Sequence, residues 1–176
     1  MDQQVMEKIR SFQCGITMTE VLVSVAIVAI IMAIGIPGLS GWVKNTQVRS
    51  AAESVLTGLQ LARGEAVHRN TAVSFTLNGT AWTVGCTTPS TVAPICEANI
   101  QSSPTAEGGD NVSLTITPTG KTSVDFNAFG QAVAGSITQI DVSIAGGATP
   151  LRILLNGGSA RLCNPALPSA NLQSCG

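Results

Sequence analysis

The sequence predicts an α+β protein in which one long N-terminal helix, half membrane-spanning and half amphipathic, packs on a mostly antiparallel β-sheet head. Three observations carry this. No charged residue occurs between Val21 and Val43, and such a length crosses a hydrocarbon core of roughly 30 Å as a helix. From Lys44 to Arg69 apolar residues recur at steps of three and four, the mark of one buried helical face. After Asn70 the period changes, and turn residues divide the chain into short runs rich in β-branched side chains.

The chain has 176 residues, enough for one head with a sizeable core and one anchor, and too few to suggest two domains. Hydrophobic residues make up 44% and charged residues only 11%, and the apolar excess is concentrated near the N-terminus. Residues 1–15 read as a leader. A secretory signal peptide places its apolar stretch ahead of a small-residue cleavage site. Here the polar leader from Met1 to Gly15, carrying Lys8 and Arg10, comes first and the apolar segment follows, so residues 16–43 stay in the mature chain.

Glu20 stands where this helix enters lipid. An ionisable group at the edge of a span is costly unless it is paired, which makes Glu20 a functional candidate. Pro37 removes an intrahelical hydrogen bond within the apolar stretch and predicts a kink or local melting.

Residues 44–70 continue the helix in amphipathic form. Val48, Ala52, Val55, Leu59, Ala62 and Ala66 form the stripe laid on a sheet, with Arg49, Glu53, Arg63 and Arg69 mainly solvated. Residues 71–176 form the β-rich head. Residues 72–77 and 81–86 read as a hairpin joined through Asn78-Gly79. Residues 87–110, dense in Pro, Ser, Thr and Gly, read as a long surface loop. Strands are expected at 112–117, 123–126, 137–144, 151–155 and 160–163, giving about seven in all.

Of the five cysteines, Cys14 precedes the apolar run, and Cys86, Cys96, Cys163 and Cys175 follow it. An even number beyond the membrane points to an oxidising compartment. Four cysteines allow three pairings, of which Cys86 with Cys96 and Cys163 with Cys175 each close a short polar loop and are favoured. A metal site is disfavoured, because no Cys-x-x-Cys pair occurs and His68 is the single histidine.

The run Gly15-Ile16-Thr17-Met18-Thr19-Glu20-Val21-Leu22, behind a polar leader and ahead of a long apolar helix, resembles the class III signal of type IV pilins and type II secretion pseudopilins. The resemblance implies that a prepilin peptidase cuts after Gly15 and methylates the new N-terminus at Ile16, where the family usually has Phe. It also implies that Glu20 meets the free amine of a neighbouring subunit during assembly. Two opposite charges in a low-dielectric groove each cost several kcal/mol if unpaired, so such a pair would set register between subunits. A proline at about the depth of Pro37 is common in the family.

Leu61-Ala62-Arg63-Gly64-Glu65-Ala66-Val67, followed closely by a strand, resembles the FimT and pseudopilin H (GspH) branch, extending the similarity from Gly15 to about Phe75. Val124-Asp125-Phe126-Asn127-Ala128-Phe129-Gly130 is similar to the family's strand-and-Gly turn. The implied fold is pilin-like. The implied function is that of a minor pilin or pseudopilin, a structural subunit for initiation or tip assembly of a type IV pilus or type II secretion pseudopilus. Its implied partners are the prepilin peptidase, other minor and major pilins or pseudopilins, and inner-membrane lipid. Its implied location is a single-pass inner-membrane position with the head in the periplasm, and then the pilus or pseudopilus.

Enzyme signatures are lacking: no Ser sits in a Gly-x-Ser-x-Gly setting, and no phosphate loop or dinucleotide fingerprint occurs. His68, at the end of the expected helix, suits a capping role. Neither a cofactor nor a metal is expected. Some FimT-like proteins bind DNA through a Gly-Arg-x-Arg motif, and the matching stretch here, Gly158-Ser159-Ala160-Arg161, keeps only the second arginine. Arg161, joined by Arg152 if their strands are neighbours, is the candidate DNA contact for an alternative role in DNA uptake. Beyond the apolar run seven Lys or Arg balance seven Asp or Glu, and a formally neutral head lacks the basic excess that phosphate binding exploits. DNA is therefore a partner that the sequence allows and does not favour.

Overall fold

The computed structural model describes residues 15–92, 95–104 and 111–176, with the side chains of 34–38 outside that description. The chain divides into two units, 1–39 and 40–176. A helix, α1 (Met18–Arg69), is the first element. In the first unit, past Glu20 and with Ser24 the exception, its described side chains are apolar on every side: Val21, Leu22, Val23, Val25, Ile27, Val28, Ile30, Ile31 and Met32 are all exposed. A helix with no polar face needs an apolar environment other than water. Among the described residues no helix is long and apolar enough to cross a membrane. The expected span at 16–43 runs through 34–38, so Pro37 and its expected kink fall outside the described side chains, as do residues 1–14 of the expected leader.

In the second unit α1 becomes one-sided. Val48, Ala52, Val55, Leu59, Ala62 and Ala66 are all buried, and Ala51 joins them. The helix ends on Asn70, at φ 51°, with Asn70 N–H donating to Val67 O and Thr71 N–H to Ala66 O. These are the two bonds of a Schellman motif, with Asn in the left-handed position that usually takes Gly.

Among the described residues eight strands follow rather than about seven. The first sheet contains β1 (Val73–Asn78), β2 (Ala81–Cys86), β3 (Gln101–Ser103) and β5 (Ser123–Phe126), in the order β3-β2-β1-β5. The second contains β4 (Val112–Thr117), β6 (Gln139–Ile144), β7 (Leu151–Asn156) and β8 (Ser159–Cys163), in the order β4-β6-β7-β8. Every ladder is antiparallel. The β1–β2 hairpin closes Asn78 against Ala81 around Gly79-Thr80. Gly79 has φ 63°, as a two-residue turn with Gly at its first central position requires.

Two expectations need correction. Residues 87–110 are not loop throughout, since β3 pairs with β2 in the register Val84↔Gln101. The strand expected from Ile137 starts at Gln139. Ile137 is buried ahead of it, and Thr138 N–H donates to Thr117 O outside the ladder.

One hydrophobic cluster joins both sheets to α1. Val73, Phe75, Leu77, Trp82, Val84, Val124 and Phe126 come from the first sheet, and Ile140, Val142 and Ile153 from the second. Gly58 sets the approach of α1 to the first sheet: a Cβ there would stand 2.6 Å from Phe75 Cε2 and 2.9 Å from Trp82 Cδ2. The Trp82 indole N–H donates to Ser54 Oγ at 3.1 Å, so the buried ring keeps a polar partner.

Candidate assembly site

The first candidate lies at the start of α1. Gly15, Ile16 and Thr17 precede the helix, and Ile16 is exposed. Thr17 is the N-cap. Its Oγ1 accepts from Glu20 N–H at 3.3 Å, the forward half of a Thr-x-x-Glu capping box. The carboxylate of Glu20 is exposed in the first helical turn, and no partner for it occurs among the described residues. Position in the first turn is itself favourable, because the helix dipole presents positive charge there. Ser24 Oγ donates to Glu20 O at 2.7 Å and so satisfies its own hydroxyl within the helix. The result is one carboxylate, free to accept, at the head of a surface that is apolar apart from Ser24.

The 61–67 stretch of α1 and the 124–130 stretch of the head, which both carry family resemblance, meet in space. Asn127 organises a turn after β5: its Oδ1 accepts from the N–H groups of Phe129 and Gln131, both at 3.0 Å. That turn delivers Gly130, with φ 71°, against α1, where a Cβ would lie 2.9 Å from Val67 Cγ2 and 3.1 Å from Arg63 Cγ. Gly158, in the β7–β8 turn at φ 101°, rests on the other side of Gly130, with room for no Cβ beside Gly130 O. Thus Arg63 and Val67, the 127–130 turn and the 157–158 turn form one packing junction. Its chemistry is packing: Arg63 is exposed and no carboxylate partners it among the described residues.

Four other charges on α1 pair along the helix. Arg49 Nε bonds Glu53 Oε1 at 2.8 Å in the open, while Arg69 Nε bonds Glu65 Oε2 at 2.6 Å in a half-buried setting. Arg69 is therefore less solvated than expected. It also donates to Ile95 O at 3.1 Å, which ties the long loop to the helix end. His68 is exposed in the last turn, where a cation or dipole complements the helix C-terminus. Among the described residues no group of three His, Cys, Asp or Glu could hold a metal ion.

The cysteines pair as Cys86–Cys96 and Cys163–Cys175, with Cα separations of 5.8 and 5.1 Å. The second bond folds the C-terminus back on β8, where Asn164 N–H donates to Gln173 O at 2.8 Å.

β7 and β8 are neighbours, with Arg152 opposite Cys163 and Leu154 opposite Arg161. Cross-strand partners share a face, so Arg152 and Arg161 stand on the same one. Each is engaged. Arg152 Nε bonds Asp141 Oδ1 at 2.6 Å, and the other Asp141 oxygen accepts from Gln139 Nε2 at 2.6 Å. Arg161 Nη2 donates to Cys175 O at 2.9 Å. One of the two cations is neutralised, and the other is held by the C-terminal segment.

Sequence reasoning missed several of these residues. The Thr17 cap was signalled by Thr-x-x-Glu. Asp141 was signalled only by its place opposite Arg152 once register is known. Gly58 carried no signal, since its role depends on two rings distant in sequence.

A family model described as type II transport protein GspH matches residues 51–159, and one described as a prokaryotic N-terminal methylation motif matches residues 10–36. No curated protein matches the chain significantly in sequence. Two crystal structures of the type IV minor pilin FimU from Pseudomonas aeruginosa PAO1 share the fold. One aligns at TM-score 0.57 and 20% identity over 76% of this chain and 98% of that one. The other aligns at TM-score 0.52 and 21% identity over 72% and 98%.

Proposed function

The chain belongs to the family of type II transport protein GspH, and from that premise we propose that it enters a filament from a bilayer, at the initiation or tip stage of a type IV pilus or type II secretion pseudopilus. It is a minor pilin or pseudopilin, a structural subunit and not an enzyme. The observation that carries the proposal is the pairing, on one helix, of an exposed, almost wholly apolar surface with Glu20, which has no partner among the described residues. Such a surface is satisfied by lipid before assembly and by other subunits' helices after it. The glutamate gains only in the second setting, where a neighbouring N-terminal amine removes its desolvation penalty.

The methylation motif over residues 10–36 supports processing by a prepilin peptidase and assembly with other pilins. We place the cut after Gly15 and the methyl group on Ile16. Residues 16–43 anchor the chain once in the inner membrane, with the head in the periplasm until assembly. The DNA-uptake alternative gains nothing from the head, because Arg152 is already neutralised by Asp141.

The test is expression of the full chain with and without a prepilin peptidase, wild type against Gly15→Ala, read by intact mass. Loss of the leader only in the wild type and only with the peptidase is the expected result. Identical masses in all four samples would refute the processing reading.

A further inference from the structure

Trp42 and Lys44 occupy the point where the charge-free run ends, and the structure joins that point to the head. Lys44 Nζ donates to Gly146 O at 3.1 Å, and Asn45 Oδ1 accepts from Thr149 N–H at 2.9 Å. Two consecutive helix residues thus clamp the β6–β7 connection to α1. The connection, residues 145–150, reads Ala-Gly-Gly-Ala-Thr-Pro and carries no charge, and most of it is exposed. Gly146 has φ 92°, and a Cβ there would lie 2.5 Å from Lys44 Nζ, so glycine permits the ammonium to reach the turn.

The two tryptophans have opposite settings. Trp82 is buried and its N–H is satisfied by Ser54. Trp42 is 65% exposed, and its indole N–H has no partner among the described residues. An exposed indole at the end of an apolar run has the amphipathic form that sits at headgroup level, its ring toward the chains and its N–H toward phosphate and water. Lys44 adds a cation that spends one N–H on Gly146 O and keeps two for a phosphate oxygen. The next charges along α1, Arg49 and Glu53, cancel each other in an ion pair.

We propose that Trp42, Lys44 and the 145–150 turn form a collar that contacts the phosphate headgroups of the bilayer holding α1. The proposal rests on the membrane-anchored reading above. The collar fixes how far the helix enters lipid, and the clamp passes that depth to the head.

The test uses the mature full-length chain, dilute in phosphatidylethanolamine and phosphatidylglycerol vesicles carrying a nitroxide at the headgroup or near the acyl end. The Trp42 signal is the difference between wild type and Trp42→Phe. Headgroup nitroxide is expected to quench it on the order of twofold more than the deep one, and Lys44→Glu is expected to reduce that preference. A depth reporter, Ile30→Trp in the Trp42→Phe chain, separates the failures. If the reporter is quenched from the deep position while Trp42 is unquenched, or quenched equally at both depths, the anchor stands and the collar is wrong. If neither tryptophan is quenched, collar and anchor fall together.

Discussion

The Phe75 ring fills the space that a side chain at Gly58 would need, with only 2.6 Å from an added Cβ to Phe75 Cε2. Alanine in a helix interior gains about 1 kcal/mol over glycine, whereas overpacking a core costs about 1–3 kcal/mol. The second effect wins at Gly58, because both clashing groups are core rings, so Gly58→Ala is expected to lose about 1–2 kcal/mol. Gly64 is the control. It lies on the same helix with nothing within 4 Å of its Cβ position, and Gly64→Ala is expected to gain up to about 1 kcal/mol. Thermal unfolding of both variants checks the pair, and equal shifts would refute the packing account.

Removing the Cys163–Cys175 bond by a double Ser substitution frees a loop closed over a separation of 12 residues. Chain-entropy bookkeeping gives a loss of roughly 3 kcal/mol for a loop of this size. A local signature should accompany it. Arg161, whose guanidinium is held by Cys175 O, should become a faster tryptic site. Unchanged cleavage after Arg161 would show that the C-terminal segment is held by something else.

Glu20→Ala should leave the unfolding midpoint of the head within about 0.5 kcal/mol of wild type, the usual effect of an exposed substitution away from special features. Incorporation into filaments, measured in sheared or pulled-down assemblies, should be lost. Wild-type incorporation by this variant would remove the register role.

With Arg152 neutralised and only Arg161 left on that face, DNA affinity of the head should be weak. The slope of log K against log salt should be no steeper than about one. Asp141→Asn releases Arg152 and should steepen it by about one more contact. A steep slope in the wild-type head would reinstate DNA uptake as the leading reading.

The buried stripe of α1 was legible because its spacing depends only on the helix repeat, and all six of its residues from Val48 to Ala66 are buried. The hairpin was legible because β1 alternates Val73, Phe75 and Leu77 inward and Gly79 supplies the turn. The division into two sheets was not legible. β5 joins β1 across a sequence separation of 45, from Asn78 to Ser123 (123 − 78), and nothing local announces that pairing. β3, with the sequence Gln-Ser-Ser, has no β-branched residue and exists because β2 offers an edge. Close approaches such as Gly130 to Val67 depend on the same long-range geometry. At the site, Glu20 and Arg161 were visible as residues and the Thr17 cap was signalled by Thr-x-x-Glu, while Asp141 and the Cys175 carbonyl, which engage Arg152 and Arg161, became visible only with the fold.

The two disulfides also bear on how the subunit matures. Their cysteines lie 10 and 12 residues apart, while Cys96 and Cys163 are separated by 67 (163 − 96). A chain that reaches an oxidising compartment from its N-terminal side presents Cys86 and Cys96 to each other before a competing thiol has arrived, and short loops close fastest. On the proposed route through the inner membrane, oxidation would follow the order of emergence and have little to unscramble. Such a subunit would be locked region by region as it is translocated, and would join a filament already covalently finished.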